Sequence, residues 1–310
     1  MKFVYFSDSH IAGKNSVNRL GDYFSDCMAK LDECITIYKK EKCSFMIIGG
    51  DIFNSNTVSN SVVDEFLDRI EKNNINVKVI YGNHDLVNCN LEMSKSTSLA
   101  HMMRRSKNIT LLDEYEDNTC FIKGINYKHN IEEDFCISGL NCKETDKFKI
   151  IIPHAFISLK EFPFATHIVA SKLKTNADVV LCSHFHHDWG IETVNNVKFV
   201  NLGAFGRLSI AEHGHMPKIA LVDTQTRLID IIQLSSAKKG SEIFDLSKYN
   251  EKKAEKKDIS AFIEALNSVE WQDLSTRDQI IKAGKDNNIE QPVIDYLINQ
   301  LDKLRMKDNE

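Results

Sequence analysis

The 310 residues suffice for one large domain with an appendage or for two modest ones, and a content of 42% hydrophobic and 27% charged residues is that of an ordinary soluble globular protein. No apolar run approaches the roughly 20 residues that span a bilayer, and no small-residue cleavage site follows the N-terminal MKFVYFSDSH, so neither a membrane span nor a signal peptide is expected. A net charge of −5 speaks against the basic footprint usual for a nucleic-acid partner, and eight cysteines without a CxxC pair read as reduced buried thiols of a cytoplasmic protein, not a disulfide frame or zinc ribbon.

In chain order, KFVYFSD is a short β-rich run ending in polar residues, as a buried strand entering a loop should. Residues 17–40 place Leu20, Phe24, Cys27, Met28, Leu31, Cys34, Ile35 and Tyr38 at helical spacing. SFMIIGGD is a second strand, followed by a helix with Val62, Val63, Phe66, Leu67 and Ile70 on one face, and NVKVIYGNHD is a third strand. After a less regular middle, KIIIPHA, ADVVLCSHFHHD and VKFVNLGAFG repeat the pattern, and KIALVDT with LIDIIQL read as the two closing strands of a hairpin. The alternation predicts one α/β domain over residues 1–234. Residues 235–258, polar and lysine-rich, read as a linker or exposed helix. Residues 259–310 carry helical spacing at Ile259, Phe262, Ile263 and Leu266, a candidate helix from Ser275 to Gly284, and a last helix from Pro292 with Ile294, Leu297, Ile298 and Leu301. So short a helical region buries little core alone and is expected to pack on the main domain or on a partner.

Each polar cluster follows the C-terminal end of an apolar strand, where open α/β sheets place their ligands. Five strand ends deliver Asp8 and His10, Asp51, Asn83 and His84, His154, and His184 and His186. Singly, each has an ordinary reading: Asp8 and His10 as surface residues, Gly49-Gly50-Asp51 as a turn and helix cap, His154 as a strand-end histidine, and residues 184–187 as an exposed loop. Together, at equivalent positions, they read as one site. Two divalent ions about 3.5–4 Å apart need a bridging carboxylate and neutral nitrogen or amide-oxygen ligands. Asp8 and His10, two apart on extended backbone, lean toward one ion. Asp51, behind glycines that permit close approach, can bridge, Asn83 offers an amide oxygen, and His154, His184 and His186 offer imidazoles. His184 and His186 alternate on extended backbone and point to one side, whereas His187 points away and is left out as a ligand. Oxygen and nitrogen ligation without thiolate suits Mn, Fe or Zn.

The ordered segments DSH, GGDIF, GNHD, PHA and SHFHHD resemble the motifs of the calcineurin-like metallophosphoesterases, from residue 1 to about residue 230. Within that superfamily GGDIFNSNTVS resembles a segment of the SbcD/Mre-eleven DNA-repair nucleases, while the GDxVDRG of protein phosphatases is absent. NLGAFGRLSIAEHGHMPKIALVD resembles the end of the nuclease domain, with its Arg-Leu-Ser, a Glu and a final LVD strand. The resemblance implies a metallophosphoesterase four-layer α-β-β-α sandwich with a small C-terminal helical appendage. It implies that Asp8, His10, Asp51 and His186 hold one metal, and that Asp51 bridges to a second held by Asn83, His154 and His184. Manganese is the first expectation, with Mg, Fe or Zn as alternatives. A metal-activated water would attack phosphorus in line with the leaving oxygen. His84 would stabilise phosphate charge or protonate the leaving group, and Asp85 would orient His84 or a ligand.

Two residues depart from the family pattern. Asn54 stands where archaeal and eukaryotic relatives commonly have histidine, three residues after the bridging Asp, and Ser183 replaces the usual glycine before the histidine pair. The short segment after residue 230 implies a reduced or missing capping domain. The resemblance further implies DNA as substrate, a homodimer, and an SbcC-type coiled-coil ATPase that supplies much of the DNA contact, with the C-terminal helices as a candidate docking segment. Arg104, Arg105 and Lys107, and Lys172 and Lys174, read as solvated surface before they read as a phosphate track. The leading expectation is a two-metal phosphodiesterase, the DNA exonuclease or endonuclease subunit of a repair or recombination complex. The alternative is a metallophosphoesterase acting on small nucleotides or other phosphoesters.

Overall fold

Strand β1 (Lys2–Phe6) has no polar face: Phe3 and Tyr5 enter one apolar layer and Val4 and Phe6 another. A strand buried on both sides needs cover on both, and that requirement sets the architecture of the protein. The computed structural model describes residues 1–162 and 165–247, with isolated helical positions at 281, 284, 291, 294, 295 and 298.

Two six-stranded sheets form the centre. The first contains β1, β2 (Phe45–Ile48), β3 (Val77–Val79) and β4 (Ile109–Leu111), all parallel. The second begins with β5 (Glu114–Glu116), antiparallel to β6 (Cys120–Ile125), and continues through β7 (Phe148–Pro153). A small parallel pair, β8 (Ile157–Ser158) and β9 (Ile168–Val169), stands apart. The second sheet is completed by β10 (Val179–Cys182), β11 (Gly190–Val194) and β12 (Val197–Asn201). Its order is β11-β12-β10-β7-β6-β5, with β6, β7, β10 and β12 parallel. The closing hairpin, β13 (Lys218–Asp223) and β14 (Leu228–Gln233), returns to the first sheet and gives the order β14-β13-β1-β2-β3-β4.

Three apolar layers hold these sheets. Phe3, Tyr5 and Ile47 of the first sheet meet Ile122, Ile150 and Leu181 of the second in the middle layer. Helices α1 (Tyr23–Lys40), α2 (Asn60–Lys72) and α3 (Ser98–Arg105) share an outer layer with Val4, Phe6, Met46 and Ile48. Helix α4 (Ile131–Ser138) shares the opposite outer layer with Phe121, Ile151 and Val180. The result is the expected α-β-β-α sandwich. Fully burying one such side chain contributes about 1.5–3 kcal/mol, so sheet separation is strongly specified.

Local details differ from the sequence reading. Helix α1 starts at Tyr23, not near residue 17, because Gly21 adopts φ 72 and Asp22 caps the helix by accepting from Ser25 N at 3.0 Å. Leu20, placed by spacing on the helix, is 45% exposed in the preceding loop. The irregular middle contains α3, α4 and three strands. The chain divides into two compact units, Met1–Phe244 and Asp245–Glu310. Residues 235–244, expected as linker, therefore belong to the first unit. Ala237, Ile243 and Phe244 are buried, Ser235 N and Ser236 N donate to Glu33, and Lys238 pairs with Asp26 at 2.7 Å. Their polar composition hid three apolar anchors. The helices expected within 259–310 lie outside the described residues except at the isolated positions, where Gln291 donates to Asp295 at 2.9 Å. All eight cysteines are unpaired, and no helix among the described residues is long and apolar enough to cross a membrane.

Because β1, β2 and β3 are parallel, their C-terminal ends share one edge, as do those of β7 and β10 in the facing sheet. Tyr5 ties the two sheets: its hydroxyl donates to Cys182 O at 2.9 Å, across the middle layer. Tyr5→Phe keeps the ring and removes this donor from a buried carbonyl. The expected loss is about 1–3 kcal/mol, read as a lower urea midpoint at unchanged slope.

Candidate metal centre

The loops that follow the parallel strands turn abruptly. Asp8, His10, Asp51 and His184 all adopt the left-handed backbone conformation, with φ of 54, 43, 50 and 69°. Each such residue costs on the order of 1–3 kcal/mol and persists only where its surroundings enforce it. Here the loops are stitched together: Asp8 N donates to Gly50 O (3.1 Å), His10 N to Asp51 O (2.9 Å) and Gly206 N to Asp8 O (3.0 Å). This corrects the alternation expected from extended backbone. Asp8 and His10 are not on a strand, and Phe185 N donates to Ser183 O at 2.8 Å, folding the chain at His184. His184 and His186 consequently face different sets of partners.

The ligand atoms of Asp8, His10 and His186 lie within 4.8 Å of one another, as do those of Asp51, His154 and His184, and those of His10, Asp51 and His84. Asp51 belongs to two of these groups and so stands at their junction. Its Oδ2 is 3.4 Å from His154 Nε2 and 3.7 Å from His10 Nε2. Nε2 of His10 and Nε2 of His186 face each other at 3.1 Å, and Asn83 Oδ1 is 3.2 Å from His154 Nε2. The fold thus brings together all seven expected donors. His187 is exposed, its ring 5.5 Å from that of Phe185, and it belongs to none of the three groups.

Other contacts aim the rings. His154 Nδ1 donates to Gly49 O at 2.8 Å, and His186 Nδ1 donates to Glu212 Oε1 at 2.5 Å. Each leaves Nε2 as the lone pair turned inward, the arrangement by which metal-binding histidines are oriented. His84 Nδ1 donates to the main-chain carbonyl of Asn54 at 2.9 Å, and its ring lies edge-on to His10 at 4.7 Å. The side chain at position 54 is therefore not what holds His84. Ser183 Oγ, in place of glycine, donates to Pro153 O at 2.8 Å. Asp85, expected to orient His84 or a ligand, accepts from the main-chain N–H of Ile52 (3.2 Å), Phe53 (3.3 Å) and Gly82 (3.0 Å), fastening the loop that carries Asp51 to the loop that carries Asn83. Glu212 had no assigned role in the sequence reading. Its second oxygen accepts from Ser209 N at 2.7 Å, completing a capping box, so the Ser-x-x-Glu spacing was its one visible signal.

Burial, aided by neighbouring His154, holds His184 at about 3, and burial holds His10 at about 3 against the pull of Asp51. Both imidazoles are neutral and able to ligate at neutral pH. Burial opposes charge on His154, but the adjacent Asp51 carries it up to about 9. Burial likewise opposes charge on Asp51, yet the field of His154 keeps its carboxyl below the ordinary range. A field that favours a proton at His154 also favours a cation. Buried His10 Nδ1 has no hydrogen-bond partner, so His10 lacks the outer acceptor that aims His154 and His186. Two carboxylates, an amide oxygen and inward imidazole nitrogens, with no thiolate, fit hard or borderline divalent ions.

The centre opens into a cavity of about 240 Å³ bordered by His10, Asn54, His84, His186, Leu208 and Glu212. A larger one of about 430 Å³, sharing Ser16, Asn54 and Leu208 with it, runs along residues 12–16 and 57–59. Glycine is required behind Asp51: a Cβ on Gly82 would lie 2.1 Å from Asp51 Oδ1, and one on Gly50 (φ 92) would lie 2.3 Å from His154 Nδ1.

Gly82→Ala is expected to displace the Asp51 carboxylate and reduce the number of Mn²⁺ equivalents bound, measured by calorimetry. Glu212→Gln keeps the capping geometry but removes the charge behind His186. It should weaken binding of an ion at the Asp8, His10 and His186 group about 10–100-fold, with a smaller effect at the other group.

The calcineurin-like phosphoesterase family matches residues 1–188, more than half of the chain. The DNA double-strand break repair protein Mre11 of Nanoarchaeum equitans (strain Kin4-M) is 33% identical over 86 residues, covering 26% of this chain and 23% of that protein. The chain thus matches less than a quarter of that relative's length. Among solved structures, a dimetal phosphatase from Danio rerio has a TM-score of 0.47 at 12% identity, covering 76% of this chain and 99% of the other. TT1561 of Thermus thermophilus has 0.45 at 9%, covering 75% and 98%, and the nuclease MPE of Pseudomonas putida has 0.35 at 16%, covering 74% and 87%. With its motifs on strand-end loops of two facing sheets and the family match across them, the chain belongs to the calcineurin-like phosphoesterases, metal-dependent hydrolases of phosphoesters.

Proposed function

We propose that the chain is a two-metal DNA phosphodiesterase, the nuclease subunit of an SbcCD-type repair or recombination complex. The observation that carries the phosphodiesterase reading is the set of three donor groups linked through His10 and Asp51, with His84 at the mouth of the cavity. The DNA reading is supported by the GGDIFNSNTVS segment and by the short likeness to the archaeal repair protein.

Asp8, His10 and His186 would hold one ion and Asn83, His154 and His184 the other, with Asp51 between them. The ions, Mn²⁺ by preference, supply charge neutralisation at phosphate and lower the pKa of water. The protein's own part is positional. His84, exposed and fixed by Asn54 O, presents Nε2 toward the cavity, where it can place a proton on the leaving oxygen. Asp85 keeps the Asp51 and Asn83 loops in register. The groove along residues 12–16 and 57–59 is neutral apart from Lys14, so a phosphate backbone can follow it without strong attraction. Of the basic residues read as solvated surface, Arg105 pairs with Asp64, Lys172 with Glu161, and Arg104 donates to Lys95 O. Much of the DNA contact therefore falls to partners, a second copy of the chain and a coiled-coil ATPase docked on residues 259–310.

Linear duplex labelled at the 5′ or 3′ end should be degraded in Mn²⁺, with stimulation by a co-purified ATPase. Chelation or Asp51→Ala should reduce cleavage to background. His84→Ala should lower kcat about 10²–10⁴-fold while two equivalents of Mn²⁺ still bind. Rapid turnover of a cyclic nucleotide with no DNA cleavage at any partner concentration would overturn the nuclease reading.

A further inference from the structure

Beside the second donor group lies a cavity that the phosphoester chemistry does not use. It measures about 300 Å³ and is bordered by His184, Tyr127, Phe156, Asn130, Glu133 and Thr166. Two of its walls are aromatic. The Tyr127 ring sits 5.8 Å from His184 and 6.1 Å from His154, and the Phe156 ring sits 6.4 Å from His184. The main chain of Tyr127 is held by its N–H donating to Tyr81 O at 2.8 Å, and the Phe156 ring is stacked on Phe185 at 4.7 Å with Phe162 beside both. Both rings are half-buried, each with area left facing the cavity.

The polar wall limits what can enter. Glu132, whose Oε1 is committed to Phe156 N at 2.9 Å, and exposed Glu133 place two carboxyl groups on this side, with exposed His129 next to them. Another phosphate would meet like charge there. A flat uncharged ring that bears N–H donors suits both walls, stacking on aromatic faces and donating to carboxylate and amide oxygens. Because His184 belongs at once to a donor group and to the cavity wall, a ring in this cavity would lie beside a phosphate at the centre.

We infer that this cavity is a nucleobase pocket and that the preferred substrate is a phosphodiester next to an unpaired nucleotide, at a frayed end or in a single strand. The inference rests on the phosphodiesterase reading above. A base inside a duplex has its faces covered by its neighbours, and extruding it is least costly when it is already unpaired. Stacking on aromatic side chains tolerates any base, so the pocket selects unpaired structure more than sequence.

The test uses the full chain in Mn²⁺ and a dinucleotide phosphodiester, compared with its two analogues that lack the base 5′ or 3′ of the scissile bond. For the wild type, kcat/KM should fall about tenfold on one of the two abasic analogues. In Tyr127→Leu the ratio between the intact and that abasic substrate should shrink toward one. A 2-aminopurine at the same position, bound in Ca²⁺ without turnover, should be quenched by the wild type and less by Tyr127→Leu. Phe156→Leu serves as the second variant if Tyr127→Leu does not fold. Equal kcat/KM of the wild type on all three substrates, or a ratio unchanged in both variants, would overturn the pocket and leave the phosphodiesterase intact. Cleavage of none of the three, with linear duplex also left intact, would overturn the phosphodiesterase reading itself, and 2-aminopurine quenching would then decide the pocket separately.

Discussion

The carboxylate of Asp51 is 1% exposed yet ionised, and the edge of the molecule around it is arranged to make that tolerable. A buried unpaired charge is among the costliest features a protein can hold. Asp51 meets the cost with His154 and His10 on one oxygen and the His84 N–H, at 2.8 Å, on the other. Those partners are useful only if they crowd in, and crowding needs backbone without side chains beside it. Gly50 and Gly82 meet this need, and the left-handed turns at Asp8, His10, Asp51 and His184 let three loops approach closely.

That strain is carried by the layers beneath. Lys30, buried in α1, donates to Phe205 O and lies 4.8 Å from the Phe205 ring. Phe205 N in turn donates to Ser7 O and Gly206 N to Asp8 O. Arg207, also buried, donates to His215 O and Lys238 O, which secures the segment on which Glu212 reaches back to His186. Support for the first donor group thus comes from α1 and from the chain after β12, elements that contribute no ligand of their own.

The strands were legible because they are apolar on both faces, a pattern that survives without knowledge of partners. The donors were legible because each follows such a strand. What failed was the local geometry. Asp and His at φ near 50° look the same in sequence as Asp and His on a strand, so the convergence of His184 and His186 was expected for the wrong reason. Asp85 was placed near the chemistry, but its partners are main-chain N–H groups, which a motif does not display. Glu212 was hidden inside a capping box, and Tyr127 lay in a stretch without periodicity. Residues 235–244 misled in the opposite direction, since lysines and serines dominate a segment whose few apolar residues are all buried.

Asp8, His10, Asp51 and Asn83 project from one sheet, His154, His184 and His186 from the other. The spacing between these halves is therefore a distance between stacked sheets, which is about 10 Å from backbone to backbone and fixed by the volumes of Tyr5, Ile47, Ile152 and Leu181 between them. Tyr5, bonded to Cys182 O, pins that gap two residues before His184. Interior packing in this enzyme acts as the ruler for its catalytic edge. A methyl group gained or lost far from solvent alters the separation across which the donors must close, so a change in core volume is felt at the edge that carries them.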